Sequence, residues 1–204
     1  MKIAPTQSVL SWPAEAAAPV TTDRRALLKG ALSLMLGAAL PGFARASAED
    51  GNGLWTVFQK PDAFLAEAFG SAPPPKLLVL DAATQSRVAA VFGRSYPQTQ
   101  IRYWRANGRS AWILDDLGKA GYQLTTSGFV VKDKAIDFAR VLIYRESRGE
   151  QVGEASFLKK FTGSKLAGAK IDKSIDNISG ATLSVKMMER MAAAALVLDA
   201  MAPA

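Results

Sequence analysis

From Leu54 onward the apolar residues fall into short runs with clear stops between them, and each run carries its own period. "PDAFLAEAFG" opens on Pro61 and closes on Gly70, the punctuation of a short helix. "APPP", Ala72 to Pro75, is a stiff connector. "KLLVLD", Lys76 to Asp81, reads as a strand, and "TQSRVAAVFG" as a helix running from an N-cap at Thr84 to a stop at Gly93. "QIRYWR" and "SAWILDD" are strands joined through Asn107-Gly108, a dipeptide that tolerates the positive backbone angles of a tight hairpin. A second pair, "YQLTTSGFVVKD" and "AIDFARVLIYRE", surrounds a polar turn at Asp133-Lys134. Val141 to Tyr144 is apolar without alternation, which predicts a strand covered on both faces.

The last part of the chain holds a short helix, "EASFLKKF", a loop rich in Gly and Lys, the segment "DNISGATLS" from Asp176 to Ser184, and a final helix. In that helix Leu183, Met187, Met191, Ala194, Ala195 and Leu198 recur at helical spacing and predict one buried stripe. Met187, Met188 and Met191 have the chemistry to touch a cofactor, but core filling is the reading that their spacing favours. Two hairpins interspersed with helices, without regular strand-helix alternation, predict an α+β fold. The expected unit is a single domain with a largely antiparallel sheet, flanking helices and a C-terminal helix after the "SGAT" turn.

Composition removes many chemistries. The 204-residue chain has no Cys and no His, which excludes disulfides, Cys or His zinc sites, His-ligated or C-x-x-C-H haem, and Ser-His or Cys-His nucleophile pairs. No haem is therefore expected in this chain. The formal net charge of +7 suggests nucleic acid or an acidic membrane, but the first 46 residues hold five basic groups against two acidic ones. Residues 47–204 carry 20 basic and 16 acidic groups, an ordinary solvated surface. The arginines and aromatics of the first hairpin have the chemistry to stack on bases, yet they sit at strand positions with no larger basic field around them. No nucleic-acid partner is expected.

The N-terminal part has the order of an export signal: basic residues, a short apolar span from Gly30 to Leu40, and small residues at Ala44, Ala46 and Ala48. That span is about half the ~20 residues needed to cross a hydrocarbon core, so a permanent membrane helix is disfavoured. An uncleaved signal would still tether the chain to the membrane. Arg24-Arg25, followed by Ala26, Leu27, Leu28 and Lys29, resembles the bacterial twin-arginine signal, with Asp23 where Ser or Thr is usual and Leu27 where Phe is commoner. An ordinary secretory signal with adjacent arginines is the alternative. The expected organisation is a long leader and export signal over residues 1–48 and one domain over 49–204, giving a periplasmic protein.

"DNISGATLS" places a threonine where a helix begins. The first turn of a helix leaves N–H groups without partners and concentrates positive charge, so it favours a phosphate. There Thr182 offers a hydroxyl that either caps the backbone or becomes an ester, with Gly180 and Ala181 keeping the approach open. The residues alone leave both readings standing.

"DNISGAT" matches D-x-x-[ST]-G-A-T, the motif at which bacterial flavin transferases attach FMN through its phosphate to the final threonine. The surrounding sequence resembles the FMN-binding domain family, which includes the C subunit of the sodium-pumping quinone reductase and the G subunit of the Rnf electron-transport complex. The likeness runs from about residue 121 to 199, and the segment from Leu54 to Lys119 resembles the front part of stand-alone exported members. The resemblance implies covalent FMN on Thr182, with Asp176, Ser179, Gly180 and Ala181 as the recognition sequence and Leu183 beside them. Family members have a strand ending in Glu-Thr-Pro-Gly near the flavin. Here "YRESRGEQVG" supplies Glu146, Ser147 and Gly149 at matching places but Arg148 instead of proline. Glu146 and Arg148 otherwise read as a solvated strand end, and Trp104, Trp112 and Tyr144 as core rather than flavin-stacking residues.

A flavin would supply the redox chemistry, and the protein its position and electrostatics. The chain lacks a G-x-G-x-x-G turn to seat a nicotinamide donor. The expectation is therefore an electron carrier or redox subunit rather than a self-sufficient enzyme, served by a flavin transferase for maturation and by a membrane or periplasmic redox partner. Two alternatives remain at this point: an exported non-redox binding or scaffold module in which "SGAT" is only a helix cap, and a flavin-dependent reductase with its own small substrate.

Overall fold

A computed structural model describes residues 49–51, 55–118 and 123–203. All of these belong to one compact unit, and the expected export signal lies outside the described residues. Seven strands form one sheet: β1 (Glu49–Gly51), β2 (Trp55–Val57), β3 (Lys76–Val79), β4 (Gln100–Ala106), β5 (Arg109–Leu117), β6 (Leu124–Lys132) and β7 (Ala135–Tyr144). The order is β1-β2-β7-β6-β5-β4-β3, and every pairing is antiparallel. The α+β class with an antiparallel sheet is thus what the chain adopts.

Turn chemistry sets this topology. Asn107 and Gly108 take φ of 51° and 70°, and Asp133 and Lys134 take 52° and 61°, so both hairpins close on residue pairs with positive φ. Tyr103 then pairs with Trp112 and stacks on it, centroids 4.9 Å apart and 9° from parallel. The register of β6 against β7 shifts between Thr126 and Ser127, leaving Leu142 as the extra residue of a bulge.

Alternation sorts side chains to the two sheet faces. Trp112, Leu114, Phe129 and Val131 face helices α2 (Ala82–Phe92) and α4 (Thr182–Met201). Ala111, Val130 and Leu142 face helix α1 (Pro61–Phe69) through its Phe64, Leu65 and Ala68. The unalternating end of β7 is indeed covered on both sides: Val141 and Tyr144 join the first cluster and Leu142 the second. Trp112 and Tyr144 are core residues, and Trp104 packs partly buried against the α1 cluster.

Two boundaries differ from the sequence reading. Helix α2 is capped by Asp81, whose carboxylate accepts from the Thr84 N–H at 2.8 Å, so Thr84 lies in the first turn rather than at the cap. The preceding strand accordingly ends at Val79. The Gly- and Lys-rich loop contains a small hairpin, β8 (Leu166–Ala167) and β9 (Lys170–Ile171), preceded by helix α3 (Ala155–Leu158) and a 3-10 turn. Met187, Met188, Met191, Ala194, Ala195 and Leu198 of α4 are all buried, whereas Leu183 is 50% exposed. The stripe therefore starts one turn later than its periodicity suggests. No helix among the described residues is long and apolar enough to cross a membrane.

Candidate functional site

The start of α4 is formed by a tight turn. The Ala181 N–H donates to the Ile178 carbonyl at 2.9 Å, with Gly180 at φ +79° as the third residue of that turn. A Cβ on Gly180 would meet no atom within 4 Å, so glycine is required there by the backbone angle and not by crowding. Ala181 occupies the N-cap position and Thr182 is the first helical residue. No side chain caps this helix. The first intrahelical bond runs from the Val185 N–H to the Ala181 carbonyl at 3.0 Å, which leaves the N–H groups of Thr182, Leu183 and Ser184 without intrahelical partners.

The Thr182 side chain is exposed, and its Oγ1 accepts from the Asn177 Nδ2 at 2.6 Å. Its hydroxyl is thus oriented by a neighbour and directed away from the capping role. Ser179 and Gly180 are also exposed, Ala181 is buried, and Leu183 stands beside Thr182 in solvent. Asp176 points elsewhere: its carboxylate pairs with Lys160 at 3.1 Å and is 86% exposed.

Behind this turn lies the segment that follows β7. Gly149, at φ +94°, is buried so tightly that a Cβ would come within 2.6 Å of Ser184 Oγ, 2.8 Å of the Tyr144 hydroxyl and 3.3 Å of Ala181 Cβ. The Tyr144 hydroxyl donates to the Arg148 carbonyl, and the Ser184 hydroxyl, 3.1 Å away, is left to donate to Tyr144. Burial is the main cause raising the Tyr144 pKa, with the Glu146 and Glu150 charges adding and the Ser184 bond opposing. Glu146 turns toward the end of β5 and accepts from the Gly118 N–H at 2.8 Å. Ser147 is exposed on the intervening bend.

The fold therefore brings Gly149 against the threonine turn, puts Glu146 on the neighbouring β5 end, and leaves Asp176 on the surface beside Lys160. Sequence reasoning passed over Asn177, Ser184 and the Tyr144 hydroxyl as parts of this site. Asn177 sits inside the quoted motif and was open to discovery there. The Tyr144–Ser184 contact spans forty residues and has no local signal.

An uncapped helix start beside an oriented, exposed hydroxyl fits a phosphate group, since free N–H groups and helix polarity both favour negative charge at that point. Among the described residues no group of three or more His, Cys, Asp or Glu is arranged to hold a metal ion.

Residues 121–197 match the sequence model of the FMN-binding domain family. No curated protein and no solved structure matches the chain. The match ends within α4 and contains the entire threonine turn, Gly149 and Tyr144. The chain carries an FMN-binding domain, which makes it a flavoprotein with FMN as its cofactor.

Proposed function

We propose that this protein is an exported electron carrier whose FMN is attached as a phosphoester to Thr182. The observation that carries the reading is the state of that hydroxyl: exposed, held by Asn177, and at the first position of a helix that no side chain caps. Bound flavin supplies one- and two-electron exchange, which no side chain of this chain can replace. The chain's own residues bind and orient. The first-turn N–H groups of α4 would stabilise the negative charge of a phosphate held at Thr182, and Gly180 allows the turn that presents this residue. Gly149 and Ala181 pack the turn from behind, so the attachment point rests on a rigid support. Asp176, Ser179, Gly180 and Ala181 are read by the maturing flavin transferase, and exposure of three of the four supports that role.

The export signal supports a periplasmic location, where a covalent link prevents loss of the cofactor by dilution. Electrons then come from a membrane or periplasmic partner. The chain is to be produced with and without a flavin transferase and tested for flavin fluorescence that survives denaturation. Transferase-dependent fluorescence in the wild type and none in Thr182→Ala is the expected result. Fluorescence retained by Thr182→Ala, or absent from the wild type, refutes the linkage. Recovery of the wild-type chain solely in the cytoplasmic fraction refutes the location.

A further inference from the structure

A cavity of about 480 Å³ opens between the C-terminal end of α2, the β8–β9 hairpin and the first half of α4. Its volume lies within the range of small-molecule sites. Val91, Phe92 and Ile171 contribute buried apolar side chains to its wall. Lys170, Lys173, Lys186 and Arg190 bring four cations to it, against the single carboxylate of Glu189.

The charge is not spread evenly over the domain. Residues 155–190 carry seven basic and three acidic side chains. Residues 49–154 carry thirteen and twelve, and residues 191–204 add one acid. The whole surplus of the domain is therefore in the stretch that builds this cavity and the threonine turn. Lys170 and Lys186 are exposed, and their side chains make no ion pair or hydrogen bond with another described residue. Arg190 is fixed by Asp116 at 2.8 Å and by the Leu117 carbonyl at 2.9 Å, but Asp116 is shared with Arg94, so one carboxylate serves two guanidiniums. The net potential of the cavity stays positive.

We infer that this cavity is a second binding site, taking a small amphipathic anion: a ring-sized apolar body bearing a carboxylate or sulfonate. The apolar wall receives the body, and the unpaired ammonium groups of Lys170 and Lys186 select the charge. Lys186 lies one helical turn beyond Thr182, about 6 Å along the axis, on the same side of α4. A ligand held there sits close to the attachment point without occupying it. The inference is independent of the Thr182 linkage.

The test is equilibrium dialysis of the protein against 8-anilinonaphthalene-1-sulfonate and its uncharged counterpart N-phenyl-1-naphthylamine, on both flavin-free and FMN-bearing chains. Mass spectrometry reports the FMN content of each preparation, so failure of the linkage and failure of the site are read separately. A single equivalent of the sulfonate is expected on both forms. Lys170→Glu with Lys186→Glu should weaken it about tenfold or more, and leave the uncharged probe within about twofold. The neutral pair Lys170→Met with Lys186→Met should fall between, and Lys134→Glu, on the β6–β7 turn and outside the cavity wall, should change nothing. Sulfonate binding indifferent to the lysine reversals, or equally sensitive to Lys134→Glu, overturns the site. Binding lost when FMN is attached also overturns it, by showing that the flavin itself fills the cavity.

Discussion

Helices α2 and α4 pack against each other, yet they begin in opposite ways. At α2 an aspartate stands at the N-cap, its carboxylate takes the Thr84 N–H, and Thr84 is buried. At α4 an alanine stands at the N-cap, no side chain closes the turn, and Thr182 is exposed. One threonine is committed to the fold. The other has a hydroxyl that folding does not require, at a helix end whose unpartnered N–H groups attract an anion. A helix start that omits an available cap, worth about 1 kcal/mol in most hosts, points to a use for that end other than stability.

Exchanging the two threonines for alanine separates those roles most sharply. Thr182→Ala should remove all denaturation-resistant flavin and leave the melting temperature nearly unchanged. Thr84→Ala should keep the flavin and lose about 1 kcal/mol by denaturant titration, as its hydroxyl and its buried methyl go. Flavin loss in Thr84→Ala at a temperature where it stays folded would contradict the separation.

The next largest effect lies at the anchor the two helices share. Asp116, 1% exposed, pairs with Arg94 just beyond α2 and with Arg190 of α4. Asp116→Ala should cost about 3 kcal/mol in urea, the lower end for a broken buried pair, because the guanidiniums it leaves are 40% and 31% exposed. An unchanged midpoint would show that the helices dock without it.

Two glycines around the threonine turn come third. Gly149→Ala must push aside Ser184 Oγ and the Tyr144 hydroxyl at a positive φ, so a loss of about 2 kcal/mol or more is expected. Gly180→Ala carries the backbone penalty alone, about 1 kcal/mol, since its surroundings are open. Equal losses would mean that Gly149 is not clamped as described.

The smallest effect concerns the α2 cap in acid. The backbone and hydroxyl bonds from Thr84 hold the Asp81 pKa below its ordinary 3.8. A carboxylate depressed on folding contributes stability that is complete above the unfolded value and fades as pH falls through the folded one. Asp81→Asn keeps a capping oxygen and removes the titration. Its melting temperature should match the wild type at neutral pH and decline less steeply below pH 3.8. Parallel acid limbs in the two proteins would remove Asp81 from the acid response.

Much of this fold was legible because its signals are local. Asn107-Gly108 and Asp133-Lys134 announce their hairpins through residues suited to positive φ, and Pro61 with Gly70 brackets α1. Errors arose where one residue served two readings. Asp81 completes an apolar run and so carries a strand signal, which places the expected α2 cap three residues too far, at Thr84. Leu183 has the period of the buried stripe but lies on the first turn of α4, and periodicity carries no information about where its cover begins. The β8–β9 hairpin has strands of two residues, too short for any pattern. At the site, the threonine and its motif were visible in a nine-residue stretch. The support beneath them was not, since Gly149, Tyr144 and Ser184 meet only through tertiary packing.

The most direct measurement is the intact mass of protein recovered from the periplasm of a host containing a flavin transferase, with peptide mapping across residues 170–190. The account predicts an added mass equal to FMN less water, on the peptide containing Thr182. A signal-processed chain with no added mass under those conditions, or FMN mapped to another residue, would contradict it.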